Sequence, residues 1–302
     1  MSNNKEFDVI IVGGSYAGLS AGMSLGRSLK QVLIIDSGLP CNRQTPHSQN
    51  FITQDGEKPI EIAKKAKLQV SRYQSIEFYQ GIAEKGEILE KGFEITTQQG
   101  DKFTSSKLIF ATGIRDIMPD ISGFSECWGK SVIHCPYCHG YEHRNKKTGI
   151  FISNERAFHL TQLVNNLTDK LSILTSGVSL FTVEQLEKLG NHQIPIIDDQ
   201  VIAFEHKNGQ IKNIVFEGNK MVSFDTIYSS VPFEQHCNIP VELGCELNEQ
   251  GYIKIDAFQK TNIPGIYAIG DCSSPMRSVA NAVAAGNFAG AMVNMELTEE
   301  RF

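Results

Sequence analysis

The sequence predicts an α/β protein built from two nested Rossmann-like units. Three observations carry that reading. An apolar run, Val9-Ile-Ile-Val12, leads into a glycine-rich turn, a helix-period segment and a second apolar run that stops on Asp36. The order strand, helix, strand recurs between residues 148 and 175. After Val241 the chain returns to a pattern that fits only beside the first unit.

Taken in order, residues 7–12 read as a buried strand, because their apolar side chains run without the alternation of a half-exposed one. Residues 19–29 have helical apolar spacing, and residues 32–35 form the next buried strand. A helix is expected over 60–70, and a hairpin over 93–97 and 102–106 around Gln98-Gln-Gly100. Residues 108–113 read as a separate buried strand, and 116–123, with Pro119 and Gly123, as a linker. The second unit then shows a strand at 148–153, a helix at 157–167 and strands at 171–175 and 225–231. Residues 263–271 are a turn feeding a buried strand that stops at an acid, and 279–297 an Ala/Gly-rich helix able to approach a flat ligand closely.

The whole chain sets limits. At 302 residues it suits two domains of about 100–200 residues. Its 41% hydrophobic and 21% charged content is close to that of a soluble globular protein. A net charge of −6 with no basic stripe argues against nucleic acid or an anionic membrane as partner. Seven cysteines are too few for a disulfide scaffold and ordinary for an intracellular protein. No signal peptide is read at the start, and the most apolar long stretch, 279–293, is interrupted by Asn281 and Asn287 and too short to span a bilayer. A cytoplasmic protein is expected.

Gly13-Gly-Ser-Tyr-Ala-Gly18 sits between the first strand and its helix. Small residues belong there because the backbone must turn tightly and bring helix N–H groups against a pyrophosphate. Ser15 replaces the middle glycine of the usual pattern. Asp36 follows at the distance expected of an acid that binds a ribose 2′-OH. A dinucleotide site is therefore expected; the motif alone does not separate FAD from NAD.

Ile133-His-Cys-Pro-Tyr-Cys-His-Gly-Tyr-Glu142 is the most specific stretch. Cys135 and Cys138 can close a small redox disulfide, and His139 beside them can move the proton that thiol–disulfide exchange gains or loses. A zinc knuckle would need more ligands; His134, His139 and His143 are near, but no second Cys or His pair stands at zinc spacing, so no metal is assigned. Haem attachment at C-x-x-C-H and a glutaredoxin-like site are weaker alternatives. Cys41, Cys127, Cys237, Cys245 and Cys272 read as partly buried free thiols.

The glycine turn, Ala111-Thr-Gly113, Cys135-Pro-Tyr-Cys138 and Gly270-Asp271, in this order, resemble the low-molecular-weight thioredoxin reductase family over nearly the whole chain. The resemblance implies FAD as cofactor, a homodimer, and an NADPH domain inserted into an FAD domain. It implies FAD contacts at Gly13, Gly14, Ser15, Tyr16, Ala17, Gly18, Asp36, Ala111, Thr112, Gly113 and Asp271, with Asn50 and Ala280 matching less closely. It also implies that Cys138 faces the flavin while Cys135 exchanges with substrate; His139 stands where that family has an acid. The longer motif Cys-Pro-Tyr-Cys-His-Gly-Tyr-Glu resembles more closely the branch of dithiol oxidases that close the disulfides of gliotoxin and holomycin with oxygen as acceptor, as do Arg43, His47-Ser-Gln-Asn-Phe51 and Asp55-Gly56.

One region departs from the family. Its second glycine turn should fall at Ile152-Ser-Asn-Glu-Arg-Ala157, which has no glycine, and its 2′-phosphate ligands near Thr175-Ser-Gly177, which has no Arg or Lys. The expected organisation is an FAD domain at 1–115 and 238–302, with an inserted NAD(P)-binding-like domain at 116–237 that carries the cysteine pair and a degenerate nucleotide site. The expected function is electron transfer between a small dithiol or disulfide, or a thioredoxin-like protein, the Cys135/Cys138 pair and FAD. The oxidase direction, with oxygen or another acceptor and without NADPH, is favoured. A thioredoxin reductase driven by NADPH or another donor, and a non-catalytic flavin redox sensor, are the rivals.

Overall fold

Strand β1 (Glu6–Val12) has no polar face: Val9, Ile10 and Ile11 are fully buried. A computed structural model, in which residues 6–152, 154, 156–177 and 181–302 are described, shows what covers them. The chain forms two compact units. The first is Met1–Arg43, Phe51–Arg115 and Phe233–Phe302; the second is Gln44–Asn50 and Asp116–Pro232.

In the first unit β1 is followed by α1 (Tyr16–Arg27), β2 (Val32–Asp36), α2 (Pro59–Val70), β3 (Ile76–Gln80), β4 (Ala83–Ile88), β5 (Phe93–Thr97) and β6 (Lys102–Phe110). Strands β3, β2, β1 and β6 lie parallel in that order, and β5 and β4 extend the sheet antiparallel. The expected hairpin strand and the separate strand after it are one continuous element, β6. Strand β7 (Ile114–Asp116) then closes this part.

The second unit runs through α3 (Phe124–Cys127), β8 (Val132–Ile133), α4 (Pro136–His139), β9 (Thr148–Phe151), α5 (Arg156–Asn165), β10 (Leu171–Leu174), α6 (Val183–Asn191), β11 (Ile196–Ile197), β12 (Val201–Lys207), β13 (Gln210–Phe216), β14 (Met221–Ser223) and β15 (Thr226–Ser229). Its parallel sheet has the order β11-β10-β9-β15-β8. One core cluster includes residues of α5; the other includes those of α3 and of the antiparallel sheet β12-β13-β14. Residues 116–123 are no free linker. Met118 and Ile121 pack on that second core, and Phe204 N–H donates to Ser122 O at 2.7 Å.

The chain re-enters the first unit through β16 (Phe233–Gln235), which pairs with β7, then α7 (Ile239–Glu242), β17 (Ile266–Ala268) and α8 (Val279–Glu299). β17 joins β6 in parallel. One face of the sheet is covered by α1, α2 and α8, and the other packs Phe7, Ile10 and Val12 against Ile239 and Leu243. The contact boundary falls at 233 rather than 238 because the Gln235 amide donates to Gly251 O and Cys272 O, at 2.8 and 2.9 Å. Residues 44–50 go with the second unit, where Thr45 lies against Gly129. Among the described residues no helix is long and apolar enough to cross a membrane.

Candidate active site

The cradle in the first unit is built by backbone proximity. Helix α1 begins at Tyr16, three residues before the apolar spacing suggested, so the turn of residues 13–15 aims its N-terminus outward. Gly13 has φ +106°, and a Cβ there would stand 2.2 Å from Ala111 O. A Cβ on Gly14 would stand 2.7 Å from Asp36 Cβ, and one on Gly18 1.8 Å from Gly13 O. Gly14 N–H donates to Asp36 Oδ1 at 3.0 Å, which ties the acid at the end of β2 to the turn. Ser15 is the N-cap of α1 but makes no side-chain cap bond, so its hydroxyl does not compete for the N–H groups of the first turn.

The other expected contacts gather around this turn, with exceptions. Ala111 and Thr112 are the backbone neighbours of Gly13, and Gly113 follows them with φ +67°. Gly270, just before Asp271, approaches Ala17. Ala17 also meets α8, because a Cβ on Gly286 would lie 2.1 Å from Ala17 O. The Tyr16 hydroxyl is turned to packing, donating to Pro59 O at 3.1 Å, which leaves its backbone at the first turn of α1. Ala280 is exposed in the first turn of α8, and Asn50 belongs to the second unit.

Sequence reasoning missed Asn42, Cys41 and Arg277 here. Asn42 Nδ2 donates to Tyr16 OH at 3.3 Å, while its Oδ1 is buried with no hydrogen-bond partner among the described residues. Cys41 Sγ lies 3.9 Å and Arg277 Nε 3.7 Å from Asp271 Oδ2. No local pattern announces them, since each acts through a residue far along the chain. A side-chain-free turn at an uncapped helix N-terminus, an acid at the second strand end and an orphaned buried acceptor fit a dinucleotide.

In the second unit Cys135 and Cys138 form a disulfide, with Cα atoms 5.3 Å apart. Pro136 starts the single turn of α4 and Cys135 is its N-cap, so Cys138 N–H donates to Cys135 Sγ at 3.0 Å. His139 ends the turn, half-buried. Burial lowers its pKa from the ordinary imidazole value, against the opposing pull of Glu142. Four of the remaining cysteines are disfavoured as thiolates. Burial pushes the Cys237 and Cys272 thiols up to about 11 and raises Cys127 and Cys245. Cys41 is exposed, not partly buried as the sequence suggested.

A dinucleotide cradle in one unit and a dithiol/disulfide pair in the other define a nucleotide-dependent disulfide oxidoreductase. The chain belongs to the pyridine nucleotide-disulphide oxidoreductase family, which matches residues 7–286. It is 30% identical to thioredoxin reductase tcpT of Claviceps purpurea over 310 residues, covering 98% of this chain and 96% of that one. Among solved structures, TrxB from Bacillus anthracis superposes with a TM-score of 0.93 at 31% identity, covering 98% of this chain and 100% of the other. HlmI gives 0.93 at 27% identity, over 100% and 95%. The family and these thioredoxin reductase homologues are flavoproteins, and FAD is the cofactor of this chain.

Proposed function

We propose that the chain is an FAD-dependent dithiol oxidase in which NADPH plays no part. The reading is supported by what stands where a nicotinamide dinucleotide would need a turn and a cation. At the start of α5 the Asn154 side chain accepts from Arg156 N–H at 3.0 Å, so a capping residue meets the helix end in place of a glycine turn. Ser153 and Glu155 lie outside the described residues. Just beyond β10, Thr175 donates its hydroxyl to Asp198 Oδ1 at 2.7 Å. A carboxylate therefore sits beside the segment where a 2′-phosphate would call for Arg or Lys.

Gly13, Gly14, Gly18 and the first turn of α1 would hold the pyrophosphate of FAD, and Asp36 its adenosine ribose. Ser15, Tyr16 and Ala17 contribute backbone, and Ala111, Thr112, Gly113, Asp271 and Ala280 complete the set within this unit. When bound, FAD takes over the electron pair that a dithiol delivers to the cysteines. A substrate thiolate attacks Cys135 Sγ, the disulfide breaks and Cys138 leaves as thiolate. The hydrogen bond from Cys138 N–H favours negative charge on Cys135. The second substrate thiol gives its proton to neutral His139 and attacks the mixed disulfide, which releases Cys135 and the cyclic disulfide product. Two electrons have then passed from the substrate to the cysteines, both now thiolates; one substrate proton rests on His139, and the other went to solvent when the first thiol ionised.

The likeness to thioredoxin reductase tcpT favours a second reading, reduction of a thioredoxin-like protein. Oxygen uptake with a small dithiol separates the two. We expect uptake that requires Cys138 and does not change when NADPH is added. Oxygen-insensitive enzyme that reduces a thioredoxin at the expense of NADPH would overturn the proposal.

A further inference from the structure

The segment after the cysteine pair does not run free; a strand of the sheet catches it. Thr226 and Tyr228 are two residues apart on β15, so their side chains leave the same face. Thr226 Oγ1 lies 2.5 Å from His143 Nδ1. His143 stands one helical turn beyond His139, and its N–H donates to His139 O at 3.3 Å. The residue after His139 has no room to slide. A Cβ on Gly140 would stand 2.2 Å from Pro136 O and 2.5 Å from Leu167 Cδ1. Through His143, Thr226 thus grips the turn that carries His139.

We propose that His143 is a positioning residue for the redox pair: held by Thr226, it packs the His139 turn against the sheet and keeps the His139 imidazole shielded from water and neutral. The proposal rests on the reading of His139 as the proton acceptor. The charged and titratable groups that act on the two rings are Glu142 on His139, and Lys146 and His139 itself on His143; Tyr228 of β15 interacts with Glu142. Burial, helped by Lys146 and His139, takes His143 down to about 4, so it is an uncharged strut at working pH. Its effect on His139 is therefore steric, through exclusion of water. When the grip is lost, water reaches His139, its cation becomes easier to form and its pKa climbs toward the ordinary value of about 6.5.

The test uses the FAD-loaded full chain and measures anaerobic bleaching by dithiothreitol between about pH 5 and 9. His139→Gln identifies the limb at which rate is lost on acidification. His143→Ala and Thr226→Val should each move that limb to higher pH by about half a unit or more. His143→Gln, which keeps a polar partner for Thr226, should leave it near the parent position. If Thr226→Val and His143→Ala lower the melting temperature while the limb stays put, His143 is only structural and the proposal falls. A limb that survives His139→Gln instead removes the His139 reading itself, and this proposal with it.

Discussion

Gly18 lies directly beneath Gly13, so close that a Cβ at position 18 would stand 1.8 Å from the Gly13 carbonyl oxygen. The obstacle is backbone, which cannot swing aside as a flexible side chain would. Gly18→Val should push α1 away from the turn and strip the flavin. The ratio of FAD to protein after gel filtration checks this, and an undiminished ratio would show that the flavin sits elsewhere.

Cys135 and Cys138 are joined, and burial raises the pKa of the thiols at Cys127, Cys237, Cys245 and Cys272. Cys138→Ser and Cys135→Ser should therefore each bind FAD normally but reduce dithiol-driven bleaching to the uncatalysed background. Stopped-flow absorbance measures it. Normal bleaching in both variants would rule out the pair as the electron entry point.

Glu296 on α8 ties three elements together. It accepts from Lys107 of β6 at 2.5 Å, from Tyr267 OH of β17 at 2.7 Å and from Lys260. Burial acts to raise its pKa, but these bonds win and hold it down to about 2. A free glutamate titrates near about 4.3, so the folded state binds its proton less readily than the unfolded one. The stability it contributes is complete above about pH 4.5 and is lost as pH falls toward about 2. Glu296→Gln should cost roughly 3 kcal/mol at neutral pH, the lower end of the range for breaking a buried pair, because Glu300 still reaches Lys107. Urea unfolding at neutral and acidic pH should show the variant's deficit shrinking with acid.

Tyr228 is 1% exposed, and its hydroxyl has no hydrogen-bond partner among the described residues. An unsatisfied buried hydroxyl costs about 1–3 kcal/mol. Tyr228→Phe removes that cost and keeps the ring in its core, so the variant should melt at or above the parent temperature. A clear drop in melting temperature would mean that the hydroxyl is satisfied in solution.

The nucleotide turn was legible because its requirements are local: strand, side-chain-poor turn, helix and acid lie within one short stretch. The cysteine pair was legible for the same reason. Strand β6 was read as two pieces because Ser105, Ser106 and Lys107 break its apolar run. Lys107 is buried there only because Glu296 and Glu300, almost two hundred residues later, neutralise it. The sheet β12-β13-β14 went unread because its strands mix core side chains such as Phe204 and Ile214 with exposed ones such as Ile202 and Met221, which blurs the period. Asn42 and Arg277 were invisible because their significance comes from contacts with Tyr16 and Asp271.

The claim that this flavoprotein takes electrons from dithiols and not from NADPH is tested most directly by anaerobic titration of the FAD-loaded protein. NADPH is added first and dithiothreitol second, while the flavin absorbance is followed. Asn154 at the start of α5 and Asp198 beside Thr175 lead us to expect an unbleached flavin after excess NADPH. The disulfide of Cys135 and Cys138 leads us to expect full bleaching by dithiothreitol. Complete bleaching by NADPH within a turnover time would contradict the account and make the chain an NADPH-driven reductase.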